Sequence, residues 1–202
     1  VYATLDDGIE CFGGTVNIDN ALVYYQGDDG IDLDQNYSGT ISNFMVVHGD
    51  GIGTDESLEI DGPEGSTYTD GKFTLSNGVC KTEGADGSAA DFKSKAQGTV
   101  TNVTFLGGND VKFRTKFVDP GVDCTHKSDA YSNLDGGDLV FSGISLSAGV
   151  KVYDDSDNPD QCPTELDAAN TNAASLVGTG AGGTVDAASL FSWTAAGQRG
   201  EL

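Results

Sequence analysis

Four aspartates, Asp28, Asp29, Asp32 and Asp34, fall within the stretch "QGDDGIDLDQNYSGTISNF". Carboxylates at this density can do three kinds of work. They can hold a hard cation, since calcium takes oxygen ligands in irregular geometry. Two of them can flank a sugar as acid and base, and His48 follows in "VHGDG" with Arg114 and Lys116 further on. Or they can turn the chain, because Asp tolerates unusual dihedrals and bonds to its own backbone. Asp32, Asp34 and Asn36 imitate the opening of an EF-hand loop, but its sixth position is Tyr37 and its twelfth Asn43, so that motif fails.

The elements that would position these groups come from a repeat. One short strand pattern recurs: "GIEC" from 8, "GIDL" from 30, "SLEI" from 57, "AADF" from 89 and "DVKF" from 110. The first four are each followed by a second strand, "GTVNI", "GTISNF", "GKFTLSN" and "GTVTNVTF", and the fifth by "GDLVFSGISLS" after a long insertion. All alternate with period two, so one face is apolar. Variable spacing with constant strand signatures is the mark of stacked coils, which need roughly 20–30 residues each and bury their inward side chains only against neighbours. The expected fold is all-β: a right-handed parallel β-helix of about five irregular coils with a C-terminal capping segment. An antiparallel β-sandwich is the alternative. Ile9, Ile31, Leu58, Ala90 and Val111 should form one inward ladder, and Val16, Ile41, Phe73 and Val100 another. Glu10, Asp32, Glu59, Asp91 and Lys112 should point outward.

The chain reads as a single domain over 1–202, with regular coils at 1–113, an insertion and last coil at 114–170, and a cap or tail at 171–202. The tail should cover the far end with Leu190, Phe191 and Trp193. Net charge is −22, from 32 acidic and 10 basic residues. Such a surface repels phosphate backbones and anionic membranes, which argues against nucleic acid as a partner. No apolar run approaches ~18 residues, so direct membrane insertion is not expected. The cysteines, Cys11, Cys80, Cys124 and Cys162, lack metal-ligand spacing. Cys124 and Cys162 lie in loop-like sequence and are the preferred disulfide pair, whereas Cys11 reads as a small buried apolar residue. No nucleophile elbow or phosphate loop is present.

"DDGIECFGGTVNIDNALVYYQGDDGIDLDQNYSG" resembles a segment of large secreted or lipid-anchored β-helix-like proteins of Bacteroidetes. There, a run of the form GDDxxExFGGTV precedes GDDDxDxDxGYSG. The matching residues are Asp6, Asp7, Gly8, Glu10 and Phe12 to Val16, then Gly27 to Asp29, Asp32, Asp34 and Tyr37 to Gly39. The resemblance is good over about 3–45, looser to about 108 and poor across 114–185. It implies export and residence at the cell surface as part of a longer parent. A second likeness is narrower. "DDSDNPDQCP" sets Asp155, Asp157 and Asp160 before Cys162-Pro163, which resembles one thrombospondin type-3 calcium repeat.

These readings give a non-catalytic extracellular domain expected to act as scaffold, adhesin or glycan-contacting module within a larger assembly or filament. Structural Ca²⁺ is the expected ion, with Asp28, Asp29, Asp32, Asp34, Asp155, Asp157 and Asp160 as ligand candidates. Tyr24, Tyr25, Tyr37 and Tyr68 are sugar-stacking candidates, at least half of them framework. The first coil starts near residue 1 with no cap, and an open strand edge invites pairing with upstream coils or another subunit. The alternative is a polysaccharide-degrading enzyme, where the resemblance is to β-helix polygalacturonases, with paired aspartates on one coil and a His-Gly on the next. Asp28, Asp29, Asp32 and His48 would then carry the chemistry.

Overall fold

The structure, a computed structural model, describes residues 1–49, 54–83, 87–156, 159–178 and 180–202. Six strands form a parallel sheet in the order β1 (Ile9–Phe12), β3 (Ile31–Asp34), β5 (Leu58–Ile60), β7 (Ala90–Phe92), β9 (Val111–Thr115) and β13 (Val150–Asp154). Five more form a second parallel sheet: β2 (Ile18–Tyr24), β4 (Thr40–Val47), β6 (Phe73–Lys81), β8 (Gly98–Leu106) and β12 (Leu139–Leu146). The chain alternates between the two sheets, so the strands climb as a parallel β-helix. Parallel pairing rules out the sandwich. Among the described residues the one antiparallel pair is β10 (Phe117–Asp119) with β11 (Asp123–His126), inside the insertion.

The first expected ladder is present in register: Ile9, Ile31, Leu58, Ala90 and Val111, continued by Val150. A parallel ladder of Cys11, Leu33, Ile60, Phe92, Phe113 and Val152 lies beside it. Phe92 and Phe113 stack at 5.2 Å, and the Phe141 ring meets both edge-on, so aromatic packing closes the centre of the core.

The second expected ladder needs correction. Ile41 pairs with Ile18 and Leu75, and Leu75 with Val100, so Ile41 and Val100 share a ladder as expected, but Ile18 and Leu75 stand in it where Val16 and Phe73 were expected. Gly13 and Gly14, both at positive φ, use up two residues at the first corner, and Val16 is left 57% exposed. The "GT" dipeptides do align β4 with β8, since Thr40 and Thr99 both pair with Thr74, but the same alignment misplaces β2 and β6 by two residues.

Each long strand also bends in the middle. Asn20, Asn43, Asn77, Asn102 and Gly143 occupy matching positions and take φ of 61°, 54°, 55°, 54° and 64°. Asn and Gly tolerate this left-handed conformation best. The kink shifts the phase of the alternation. In β8 the inward residues run Gly98 and Val100, then Val103 and Phe105.

The insertion holds β10, β11 and helix α1 (Ala130–Gly136). A disulfide joins Cys124 in β11 to Cys162, the residue before helix α2 (Pro163–Val177), as the loop sequence suggested. Helix α2 packs on β13 and β12, and Val152 N donates to Asn170 Oδ1 at 2.6 Å. The tail does not lie over that end. From 180 it crosses the outside of the second sheet back to the first coils. Gly180 N donates to Ile144 O at 2.6 Å, and Thr104 Oγ1 to Gly183 O at 2.8 Å. Short helices α3 (Ala187–Leu190) and α4 (Ala195–Arg199) then seat Phe191 among Leu22, Tyr24, Met45 and Ala196. The outward apolar side chains of β2 and β4 need a cover, and Phe191, fully buried, supplies it. Trp193 stays 69% exposed.

Candidate acidic face

The outer face of the six-stranded sheet carries the charged side chains. Inward residues alternate with outward ones, so Glu10, Asp32, Glu59, Asp91, Lys112 and Lys151 fall in one row across six strands. The row changes sign along its length, from carboxylates in the first coils to cations in the last. Asp32 and Asp91 are nonetheless buried, at 7% and 2% exposure, beneath neighbouring side chains and corners.

At the basic end Arg114 grips Asp91, with Nη2 at 2.6 Å and Nε at 2.9 Å from Oδ2. Its guanidinium also lies 4.6 Å from the ring centre of Tyr153. Lys112 reaches Asp91 at 3.5 Å and Glu56 at 3.7 Å. Lys93 bridges Glu59 and Asp61 and is held above the ordinary lysine value, despite burial, by those two carboxylates.

At the acidic end Asp7, Asp29 and Asp32 each place an oxygen within 4.8 Å of the other two. Asp29 is fixed at both of its ends. Its N–H donates to Asp7 Oδ1 at 3.0 Å, and its Oδ1 accepts from Glu56 N at 2.7 Å. Burial, then a hydrogen bond to Glu59, pushes the Asp29 carboxyl up to about 10. Glu59 is held below its usual value despite burial, by that bond and by Lys93. Their contact thus drives the two carboxyls in opposite directions, Asp29 up and Glu59 down. Burial, then the charges of Asp34, Glu59 and Asp7, pushes Asp32 up to about 8. Its Oδ1 is buried and has no hydrogen-bond partner among the described residues. An unpaired buried carboxyl oxygen facing other carboxylates is unfavourable until something positive meets it. Further along, Asp34 joins two more groups, one with Glu10 and Asp32 and one with Asp61 and Glu64.

The sequence-derived site residues therefore divide. Asp29, Asp32 and Asp34 come together on this face. Asp28 is exposed and groups with Asp6 and Asp7 on the corner. His48 turns elsewhere: its Nδ1 contacts Thr54 Oγ1 at 2.9 Å and its Nε2 contacts Ser57 Oγ at 2.7 Å, with Gln26 above the ring. Burial pushes its pKa down to about 4, so it is a neutral core histidine. Asp155 is engaged by Arg114 at 3.7 Å and Lys116 at 3.6 Å, and Asp160 joins no acidic group of three among the described residues. Asp157 lies outside the described residues. Tyr24 and Tyr37 are buried framework, Tyr25 is half-buried, and Tyr68 is 53% exposed. Asp7, Glu59, Asp61 and Lys93 were not singled out from sequence. The outward row already contained Glu59, but its meeting with Asp29 depends on inter-coil register.

With this geometry in hand, comparison with known proteins is informative. A family model described as a pectate-lyase like beta helix domain matches residues 1–197. The chain belongs to that family. No curated protein and no solved structure matches it. The pectate-lyase-like β-helix family contains pectate lyase-like proteins and others, so membership identifies the architecture and not a reaction. Among the described residues no helix is long and apolar enough to cross a membrane.

Proposed function

We propose that this β-helix domain is an extracellular, cell-surface module that holds calcium on its acidic face and contacts acidic polysaccharide there. The observation that carries the reading is Asp32 Oδ1, buried and unpartnered among Asp7 and Asp29. Calcium accepts carboxylates contributed by separate segments in irregular geometry, and a bound ion leaves positions for a sugar carboxylate. Lys112, Arg114, Lys151 and the half-exposed Tyr153 then offer cations and a ring further along the same face. The name of the family supports a polysaccharide of this kind. The Cys124–Cys162 disulfide supports an oxidising compartment, and surface residence on a Bacteroidetes-type cell rests on the sequence resemblance alone.

Affinity electrophoresis in polygalacturonate tests the reading. Calcium should retard the wild-type protein, while EDTA or Asp32→Asn should release it. Equal mobility in calcium and EDTA would end the proposal.

A second reading, cleavage of the bound polymer, draws on the Asp29–Glu59 pair, where an acid and a base stand side by side. Their direct hydrogen bond is tighter than the roughly 5–9.5 Å separating glycoside-cleaving carboxyls. His48 is committed to Thr54 and Ser57. Release of reducing ends or unsaturated products from the same polymer would promote this reading over the first.

The proposal includes an assembly contact at the amino-terminal end. There, among the described residues, β1 pairs only with β3, Ile9 and Ile18 are half-buried, and residues 1–3 hydrogen-bond along β2. Sedimentation velocity should show concentration-dependent association that Ile9→Lys abolishes, and a monomer at all concentrations argues against it.

A further inference from the structure

A second carboxylate group lies at the corner where the first two inner strands turn away from the face. Asp34 ends β3, Asp61 follows β5, and Glu64 sits in the "DGPEG" loop. Each offers an oxygen within 4.8 Å of the other two. Ligands at 2.3–2.6 Å around one calcium ion stand up to about 5 Å apart, so the three fit a single ion. The corner is fixed by backbone bonds: Asp61 N donates to Leu33 O at 2.8 Å, and Asn36 N to Gly62 O at 2.9 Å.

An independent observation points to a ligand. Asp61 is only 4% exposed, and its Oδ1 has no hydrogen-bond partner among the described residues. Its other oxygen is used, since Lys93 Nζ lies 3.3 Å from Oδ2. A buried carboxylate held by Lys93 and the Ser94 side chain thus keeps one oxygen without a partner beside two further carboxylates.

We propose that Asp34, Asp61 and Glu64 bind a calcium ion that clasps the 62–72 loop to the corner of the coil stack. The site is separate from the Asp7–Asp29–Asp32 group and does not rest on the glycan reading. Glu64 also lines an open cleft of about 570 Å³ together with Pro63, Lys95, Gln97, Lys116 and Asn133. Fixing the loop therefore fixes one wall of that cleft. Calcium is favoured over magnesium because the three ligands come from two backbone segments, Asp34 at the end of β3 and Asp61 with Glu64 in the loop after β5, with no octahedral frame, and magnesium dehydrates reluctantly.

Calorimetric titration with calcium, combined with hydrogen exchange over 62–72, tests the site. The affinity expected for an extracellular module is about 0.1–1 mM. Glu64→Gln, at an exposed position, and Asp61→Asn should each remove one equivalent of bound calcium, while Asp32→Asn should leave this equivalent in place. Calcium should slow exchange over 62–72 in the wild type and in Asp32→Asn, and not in Glu64→Gln. The proposal fails if Glu64→Gln binds as much calcium as the wild type, or if calcium leaves exchange over 62–72 unchanged. A loss seen only in Asp32→Asn would overturn this site and leave the acidic-face reading standing.

Discussion

Asp32 should make the metal-free protein lose stability as pH rises, which is the reverse of an aspartate in a salt bridge. In the unfolded chain an aspartate titrates near 3.9. In the fold burial and four neighbouring carboxylates, Asp34, Glu59, Asp7 and Asp61, move it up to about 8. A folded pKa above the unfolded one gives stability that is complete below about pH 4 and lost as pH climbs through about 8. Between pH 5 and 8 the native state holds a proton that the unfolded state has released, so stability falls by about 1.4 kcal/mol per pH unit from this one group. The loss reaches at most about 4 kcal/mol, which for a chain of this size lowers the melting temperature by roughly 10 °C. Asp29, pushed up to about 10, acts in the same direction. Asp32→Asn preserves the shape and removes the charge. It should flatten the slope and melt higher than the wild type at pH 8 in EDTA. Calcium should flatten the wild-type slope as well, because an ion stabilises the carboxylate form. Calorimetric melts at pH 5, 6, 7 and 8, with EDTA and with millimolar calcium, measure all of this. A wild-type melting temperature that is level or rises from pH 5 to 8 in EDTA would show that Asp32 is already ionised and neutralised, and the argument for a cation there would go with it.

Other perturbations read the frame that holds the face. Phe191→Ala removes a fully buried ring from the tail and should cost about 3–5 kcal/mol, seen as faster hydrogen exchange over 187–201 and a lower melting temperature; unchanged exchange there would mean that the ring does not hold the tail down. In Gly78→Ala the added Cβ would come 2.1 Å from the buried Phe44 ring, and the overpacking should cost about 1–3 kcal/mol. Gly136→Ala in α1 meets no atom and should be neutral or slightly stabilising, so equal melting temperatures for the two variants would contradict this packing. Cys124→Ser opens a crosslink spanning 38 residues and should cost about 4 kcal/mol by chain entropy, read as a lower urea midpoint, with no further drop when reductant is added.

Parallel coils were legible because one physical demand repeats in every turn. Ile31, Leu58 and Ala90 must each face the same core, and their polar neighbours must not, so alternation and order survive even when loops vary in length. The asparagine bend was not legible. Asn43, Asn77 and Asn102 look like ordinary outward polar residues, yet their left-handed backbone shifts the inward phase by one residue halfway along each strand. Nor was the path of the tail, since Phe191 has no periodic partners in its own segment, and the apolar ledge of Leu22, Tyr24 and Met45 reads as part of a strand pattern. The same distinction governs the site. Density of aspartate at 28–34 is a one-dimensional signal, and three of its four residues, Asp29, Asp32 and Asp34, fall on the acidic end of the face. Pairing Asp29 with Glu59, or Asp34 with Asp61, joins residues about a coil apart, and a two-residue register error of the kind made at Val16 would have separated them. His48 shows the converse. One coil from the aspartates in sequence, it turns instead toward Thr54 and Ser57, because the second sheet, not the acidic face, decides where the end of β4 points. In a β-helix, then, composition marks the face that carries charge, and register across coils selects which charges meet.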